Sequence, residues 1–277
     1  MKIKEIDAVI EAALKEDMPR GDITSENIVP RRSVSKAVFL AKHEGVLAGI
    51  DVAGRVFRRI DPRIIVKKFF RDGQSFKAGQ VLAEISGCSI SILKGERTAL
   101  NFLQRMSGIA TTTKEYVDAV SGTKARILDT RKTTPGLRVL EKYAVQMGGG
   151  ENHRLNLSTM VLIKDNHLRL VENIPAAVQK ARKKVGRRVK IEVEVTDFDQ
   201  ARQAVEAGAD MIMLDNMPPK TMKDIIGWVR GRIPIEVSGN VSLKNVRRIA
   251  ALGADYISIG KLTHSYASPD LSLEFLE

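Results

Sequence analysis

The chain has 277 residues, a formal net charge of +12 and a single cysteine. One cysteine excludes an internal disulfide framework and is typical of a reducing compartment, while the segment MKIKEIDAVIEAALKED is too interrupted by charge for a signal peptide or membrane span. The excess positive charge indicates an anionic partner, but 5% aromatic residues and no nucleic-acid-binding motif favour small polyanions. We expect a cytoplasmic protein that binds neither nucleic acid nor membrane.

The N-terminal third predicts a helix followed by a hairpin-rich sheet. Apolar residues between Ile3 and Leu14 recur at helical spacing, and this helix stops before Pro19. From Lys36 onward, short apolar runs are separated by turn glycines, which is typical of a small α+β sandwich domain. We assign residues 1–108 to this domain and expect Gly108, within a helical stretch, to mark a break or domain junction.

The remainder repeats a strand-then-helix pattern. Two of its helices end in Gly-Ala-Asp, at residues 208–210 and 253–255, and each is followed directly by an apolar strand. Candidate strands lie near residues 126, 160, 190, 211, 234 and 256. Six strands are too few for a regular eight-fold barrel, so we predict an incomplete or irregular (β/α) barrel over residues 109–262. Residues 263–277 form a tail that we expect to pack back on the N-terminal domain.

Each candidate strand ends in polar residues, which a barrel would bring to one face. They are Arg131 and Lys132, Lys164, Glu194, Asp215, Ser238-Gly239-Asn240, and Gly260. Glu194 and Asp215 are too few for a structural metal cage but suit Mg²⁺ held mainly by substrate phosphates. The backbone N–H groups of the last two clusters, together with the start of the following helix, are suited to a phosphate. The sequence thus predicts one cationic pocket with two carboxylates.

Three motifs occur in order around the first two of these strands: DTRKTTPG at 129–136, GGGENHR at 148–154 and KDNH at 164–167. Together they resemble quinolinate phosphoribosyltransferase, also called nicotinate-nucleotide pyrophosphorylase (carboxylating). The resemblance extends from residues 21–24 to residues 258–260. It implies transfer of phosphoribosyl from 5-phosphoribosyl 1-pyrophosphate to quinolinate, with loss of pyrophosphate and CO₂, to give nicotinate mononucleotide in NAD biosynthesis.

The resemblance also implies roles for individual residues. Planar donors suit a substrate with two carboxylates, and the implied clamp consists of Arg97, Arg131, His153, Arg154 and Lys164. The implied pyrophosphate and ribose site consists of Lys132, Glu194 and Asp215 with Mg²⁺. In the family, the Arg of the Glu-Arg-x-Ala-Leu-Asn segment, here Arg97, reaches the active site of a neighbouring subunit. This implies a homodimer or higher homo-oligomer with shared active sites.

One position departs from the family pattern, and three other functions stay open. Asn240 stands where family members commonly have a second glycine, which places a side chain beside the presumed phosphate. A related enzyme could use nicotinate or an azole acid without decarboxylation, leaving Arg97 or Arg154 unpaired. A Schiff-base lyase would use Lys164 or Lys132, and borohydride trapping would reveal it. An RNA-binding protein would show affinity that falls steeply with salt.

Overall fold

The computed structural model describes residues 3–277, and the chain divides into two compact units. Unit 1 comprises Met1–Lys114, Thr133–Gly149 and Lys261–Glu277, and unit 2 comprises Glu115–Lys132 and Gly150–Gly260. In chain order the elements are α1 (Ile3–Asp17), α2 (Ser25–Ile28), β1 (Val34–Ala41), β2 (Gly45–Val46), α3 (Ile50–Ile60), β3 (Ile65–Lys68), β4 (Ser75–Phe76), β5 (Val81–Cys88), α4 (Ser89–Ala119), β6 (Arg126–Leu128), α5 (Arg138–Met147), β7 (Val161–Ile163), α6 (Asp165–Leu168), α7 (Ile174–Val185), β8 (Ile191–Val195), α8 (Phe198–Glu206), β9 (Met211–Asp215), α9 (Pro219–Val229), β10 (Ile235–Ser238), α10 (Val246–Ala251), β11 (Tyr256–Ser258), α11 (Lys261–His264) and β12 (Leu271–Phe275).

Unit 1 is built around an antiparallel sheet with the strand order β12-β1-β5-β3. The last strand, β12, pairs with β1 from Leu271 opposite Ala41 to Phe275 opposite Ala37. Apolar side chains of β1 and α3 meet in the core, where Phe39 and Phe57 are fully buried with ring centroids 6.0 Å apart. The predicted α+β fold of the N-terminal region is confirmed.

The helix α4 continues through Gly108, so the predicted break at this residue is wrong. A Cβ atom at Gly108 would lie 2.6 Å from the carbonyl oxygen of Ala267. The glycine is therefore needed for the close approach of the C-terminal segment to the helix. Its cost in helix propensity, about 1 kcal/mol relative to alanine, is one that packing of the surrounding helix readily offsets.

Two buried carboxylates of unit 1 have complete sets of partners. Asp61, which is 7% exposed, accepts hydrogen bonds from Nε of Arg63 at 2.9 Å and from Nη2 of the same side chain at 3.0 Å. Glu141, which is fully buried, accepts from Nε of Arg105 at 3.0 Å and from the backbone N–H of Thr134 at 3.1 Å. Glu141 thus ties α4 to the segment before α5, while Asp61 holds the turn that contains Arg63.

Unit 2 is built around a parallel six-stranded sheet with the order β6-β11-β10-β9-β8-β7. All six strands lie where the sequence predicts them. Asn173 and Asp197 cap the N-termini of α7 and α8, and their side chains accept hydrogen bonds from the backbone N–H groups of Ala176 and Gln200. Because β6 and β7 lie at opposite ends of this sheet, the predicted incomplete barrel is confirmed.

The strand register of unit 2 separates apolar from polar side chains. One face carries buried aliphatic residues, namely Val193, Val195, Ile212, Leu214 and Val237. The alternation of side chains along a strand gives the opposite face Glu192, Glu194, Met211, Met213, Asp215, Glu236 and Ser238. The second face therefore gathers four carboxylates from three adjacent strands. Among residues 3–277, no helix has the length and apolar character needed to cross a membrane.

Candidate active site

The carboxyl ends of the six parallel strands lie along one edge of the unit 2 sheet, and the predicted polar clusters lie there. Arg131 and Lys132 follow β6, Lys164 follows β7, and Gly260 follows β11. Arg97 is different, because it lies on α4 in unit 1, where its side chain is exposed. The fold thus brings the strand-end residues to one edge by topology alone.

Lys164 and Glu194 form an ion pair between the ends of β7 and β8, with Nζ of the lysine in contact with Oε2 of the glutamate. The glutamate side chain is 12% exposed and the lysine 39% exposed. The pair is therefore accessible from solvent on the lysine side. An arriving anion can contact the ammonium group while the carboxylate keeps it in place.

Asp215, at the end of β9, heads a hydrogen-bond network with the loop that follows β10. Its Oδ2 accepts from Nδ2 of Asn216 at 3.0 Å, and Oδ1 of Asn216 accepts from Nδ2 of Asn240 at 2.9 Å. Gly239 has φ of +90°, and a Cβ there would lie 2.3 Å from Oδ1 of Asn216. Both asparagines also have positive φ, a conformation that asparagine tolerates better than most residues. The departure from the family pattern at Asn240 is thus part of a network that reaches Asp215.

Two arginines add positive charge to the same unit. Arg154 is half-buried, and its Nη1 donates to the backbone carbonyl of Met160 at 3.1 Å. Burial lowers the pKa of Arg154, and the nearby charge of Arg131 lowers it further. Two guanidinium groups that repel each other in a partly desolvated position favour binding of an anion.

A buried cluster of one imidazole and two carboxylates lies beside Arg154. Nε2 of His153 is 3.0 Å from Oε2 of Glu192 and 3.3 Å from Oε2 of Glu236. Both glutamates are fully buried, and the His153 side chain is 7% exposed. On its other side, Nδ1 of His153 accepts the backbone N–H of Arg154 at 2.8 Å, while the backbone N–H of His153 donates to Asp129 at 2.9 Å.

Burial and the repulsion between the two carboxylates favour protonation within this cluster. Burial raises the pKa of Glu192, as does the negative charge of Glu236, and the pKa reaches about 7. Burial lowers the pKa of His153, while the two neighbouring carboxylates raise it. A second proton on the ring would have to occupy Nδ1, which already accepts the Arg154 N–H. The geometry therefore places the additional proton on the carboxylate side.

Glu192 and Glu236 are absent from the residues that strand ends and motifs predict. Both lie near the amino end of their strands, whereas the predicted residues lie at or after the carboxyl ends. A signal was nevertheless present, because parallel strands covered on both faces are usually near-continuous apolar runs. Glutamates within Ile191–Val195 and Ile235–Ser238 interrupt such runs, and glutamate is almost never fully buried unless it is paired.

Comparison with known proteins agrees with this architecture. The family description "Quinolinate phosphoribosyl transferase, C-terminal domain" matches residues 109–274, and its N-terminal counterpart matches residues 22–107. A probable nicotinate-nucleotide pyrophosphorylase (carboxylating) of Bacillus subtilis is 43% identical over 259 residues, which cover 94% of this chain and 89% of that protein.

Solved structures agree over the same length. The crystal structure of NadC from Streptococcus pyogenes is 41% identical with a TM-score of 0.96, covering 100% of this chain and 99% of that one. The nicotinate-nucleotide pyrophosphorylase of Francisella tularensis is 38% identical with a TM-score of 0.96, covering 100% and 98%. With both domains matched in order over nearly its full length, the chain belongs to the quinolinate phosphoribosyltransferase family.

Proposed function

We propose that the strand-end edge of unit 2 binds quinolinate and 5-phosphoribosyl 1-pyrophosphate and catalyses phosphoribosyl transfer with decarboxylation. The products are nicotinate mononucleotide, CO₂ and pyrophosphate, as in the de novo synthesis of NAD. The observation that carries the proposal is the pair Arg131 and Arg154, in the same unit as the Lys164–Glu194 ion pair at the ends of β7 and β8. Such a set of cations fits two dianionic or more highly charged substrates.

Quinolinate carries two adjacent carboxylates, which planar guanidinium groups can bind in a bidentate manner. Arg131 and Arg154 supply these groups, and Lys164 adds a further cation. Once the ring is held, its nitrogen attacks C1 of the ribose, and the bond from C1 to the pyrophosphate oxygen breaks. The carboxylate next to the nitrogen then leaves as CO₂, its electron pair stays on that ring carbon beside the positively charged nitrogen, and a proton from water takes the place of the lost carboxylate. The protein contributes mainly orientation and charge neutralisation.

The phosphoribosyl substrate would lie toward the ends of β9, β10 and β11. Lys132 is exposed beyond β6 and suited to the pyrophosphate, while Ser238, Gly239, Asn240 and Gly260 provide a turn suited to the 5-phosphate. The carboxylates of Glu194 and Asp215 are hard oxygen donors from adjacent strands, as Mg²⁺ requires, and two such donors suit an ion held chiefly by substrate phosphates. When bound, Mg²⁺ neutralises the charge that develops on the leaving pyrophosphate.

The activity itself is tested by mixing purified protein with quinolinate, phosphoribosyl pyrophosphate and Mg²⁺, and measuring CO₂ and nicotinate mononucleotide. We expect both products in equal amounts and none when a chelator is in excess. Full turnover with excess chelator would contradict the metal role. Replacing quinolinate by nicotinate is the matched control, and efficient turnover of nicotinate would favour an enzyme that does not decarboxylate.

We also propose that Arg97 serves the active site of a neighbouring subunit in a homodimer or higher homo-oligomer. Its exposure on α4 supports this, since an exposed arginine is available to a second chain. The Arg97→Ala and Lys164→Ala proteins should each be nearly inactive, yet mixing them should restore activity. Random exchange makes about half of the dimers mixed, and one site in each mixed dimer is complete, so about a quarter of all sites should work. Mixed dimers that form but stay inactive would place Arg97 in its own chain's site or in none.

A further inference from the structure

Both ring nitrogens of His153 are already engaged within the protein. Nδ1 lies 2.8 Å from the backbone nitrogen of Arg154, and Nε2 faces Glu192 and Glu236 at 3.0 and 3.3 Å. The side chain is 7% exposed, so its partners in unit 2 define its environment.

The direction of the hydrogen bond at Nδ1 fixes the tautomer of the ring. A backbone N–H can only donate, so Nδ1 must present its lone pair, and a neutral ring then carries its proton on Nε2. That proton points toward two carboxylates, which can only accept unless protonated. The two carboxylates thus hold the ring in the tautomer that accepts the Arg154 N–H.

This tautomer argues against a metal ligand. A histidine that ligates a metal typically donates its other ring N–H to an acceptor, whereas Nδ1 of His153 receives a donor and Nε2 carries the proton. The three groups are therefore arranged for a proton and not for a metal ion, although their ligand atoms lie within 4.8 Å of one another.

Burying these two carboxylates costs free energy of folding. Oε1 of Glu192 and Oε1 of Glu236 are buried without a hydrogen bond, and Oε2 of Glu236 has only the 3.3 Å ion-pair contact with Nε2 of His153. Replacing buried ionic groups by apolar residues of similar volume is often neutral or stabilising, so stability alone does not account for them. Polar groups left unsatisfied in a core call for a functional explanation.

We propose that Glu192 and Glu236 are positioning residues, which act through the His153 ring to fix the Arg154 backbone and thereby aim its guanidinium group at a carboxylate of the pyridine substrate. The peptide is anchored on both sides, since Asp129 accepts the His153 N–H and His153 accepts the Arg154 N–H. The guanidinium group is steadied further by the Met160 carbonyl. This inference rests on the proposed function, in which Arg154 binds quinolinate.

The tautomer can be observed directly in the wild-type protein. The chain has four histidines, so ¹⁵N-histidine labelling with a His153→Gln protein for assignment resolves the His153 ring in two-bond ¹H–¹⁵N spectra. We expect a neutral ring protonated at Nε2 at pH 7. A ring protonated at Nδ1, or at both nitrogens, would overturn the proposal. The spectrum needs no substrate, so it stands even if quinolinate proves not to be turned over.

The consequence for binding is tested with Glu192→Met combined with Glu236→Met, which removes both acceptors at similar volume. We expect the pure Nε2–H signature to disappear and the KM for quinolinate to rise about tenfold to a hundredfold, because small misplacements of a binding group have effects of that size. The KM for phosphoribosyl pyrophosphate should change less than about twofold, since the change is local to Arg154.

Two further variants separate positioning from general damage. Glu192→Gln keeps an acceptor for Nε2–H, so its KM for quinolinate should stay within about threefold of wild type. Met211→Leu, a buried change on the same face of the sheet, should leave both KM values unaltered. An unchanged KM for quinolinate in the double variant, or an equal rise of both KM values, would overturn the proposal. If the double variant does not fold, Glu192→Met alone and the wild-type spectrum decide between the same outcomes.

Discussion

The two units treat their buried carboxylates differently. In unit 1, Asp61 and Glu141 each accept hydrogen bonds from an arginine, and Glu141 also accepts a backbone N–H. In unit 2, Glu192 and Glu236 are as deeply buried but leave three of their four oxygens without a hydrogen bond. Glu141 connects distant segments and Asp61 holds its own turn, while the second pair surrounds a histidine next to Arg154, the arginine that we propose binds the substrate. The carboxylates with complete hydrogen bonds thus lie in unit 1, and those without lie beside the proposed substrate site of unit 2.

The largest effect on activity should come from removing a cation of the proposed site in unit 2. Arg131→Ala should lower kcat/KM by the equivalent of about 2 to 5 kcal/mol, the range for truncating one partner of a buried charge pair. Steady-state kinetics with quinolinate will measure it. Equal losses in an exposed-charge control would show that the pocket lies elsewhere.

The control must be chosen from the structure, since the basic run at 180–188 is not uniformly solvated as its composition suggests. Arg182 pairs with Asp210 and donates to the carbonyl of Gly186. Lys183 is exposed, so Lys183→Ala is the matched control and should retain nearly full activity.

Stability should respond in the opposite way in the two units. Glu141→Met leaves Arg105 partly buried without its carboxylate and should lower the free energy of unfolding by about 3 kcal/mol. Glu236→Met removes an unsatisfied carboxylate and should leave that free energy within about 1 kcal/mol of wild type or raise it. Urea unfolding of both proteins measures the difference. A larger loss from Glu236→Met than from Glu141→Met would reverse the comparison.

The pH dependence of stability should also have opposite signs. Hydrogen bonds from Arg63 lower the pKa of Asp61 to about 2, so its contribution is present above about pH 4 and is lost as the pH falls toward 2. Burial raises the pKa of Glu192 from 4.5 to about 7, so the folded state binds more protons than the unfolded state, and stability falls as the pH rises through this range. The loss should be on the order of 1 kcal/mol.

Unfolding free energies at pH 3, 5 and 7.5 will test these signs. Asp61→Asn should reduce only the loss of unfolding free energy between pH 5 and 3. Glu192→Gln should reduce only the loss between pH 5 and 7.5. A wild-type protein that becomes more stable between pH 5 and 7.5, with Glu192→Gln showing the same slope, would remove Glu192 as the source.

The smallest effect should come from the exposed network at Asp215. Asn240→Gly keeps a residue that accepts φ of +50° but removes the hydrogen bond to Asn216, which is worth about 0.5 kcal/mol in an exposed position. We expect the KM for phosphoribosyl pyrophosphate to rise about twofold, with the KM for quinolinate unchanged. Arg230→Gly, at another exposed residue with positive φ, is the control and should change neither value.

Local sequence patterns predicted the strands of unit 2 and the residues at their ends, because alternation and cap glycines act over a few residues. They did not predict how α4 runs through Gly108, since the carbonyl that requires the glycine comes from Ala267, far along the chain. They also missed Glu236, which meets His153 only after six strands have assembled. Periodicity and motif spacing do not predict contacts between residues that are far apart in the chain.

The pairing of β12 with β1 sets an order for folding. Leu271 lies opposite Ala41, so the sheet of unit 1 cannot be complete until the ribosome has released the residues of β12. The sheet of unit 2 needs no residue beyond Ser258, so it can be completed earlier in synthesis. Until then β1 presents an unpaired edge, which is the kind of surface that recruits strands from other molecules. The C-terminal strand thus acts as a late closure of the sheet, and extensions near Phe275 are where expression should be most easily disturbed.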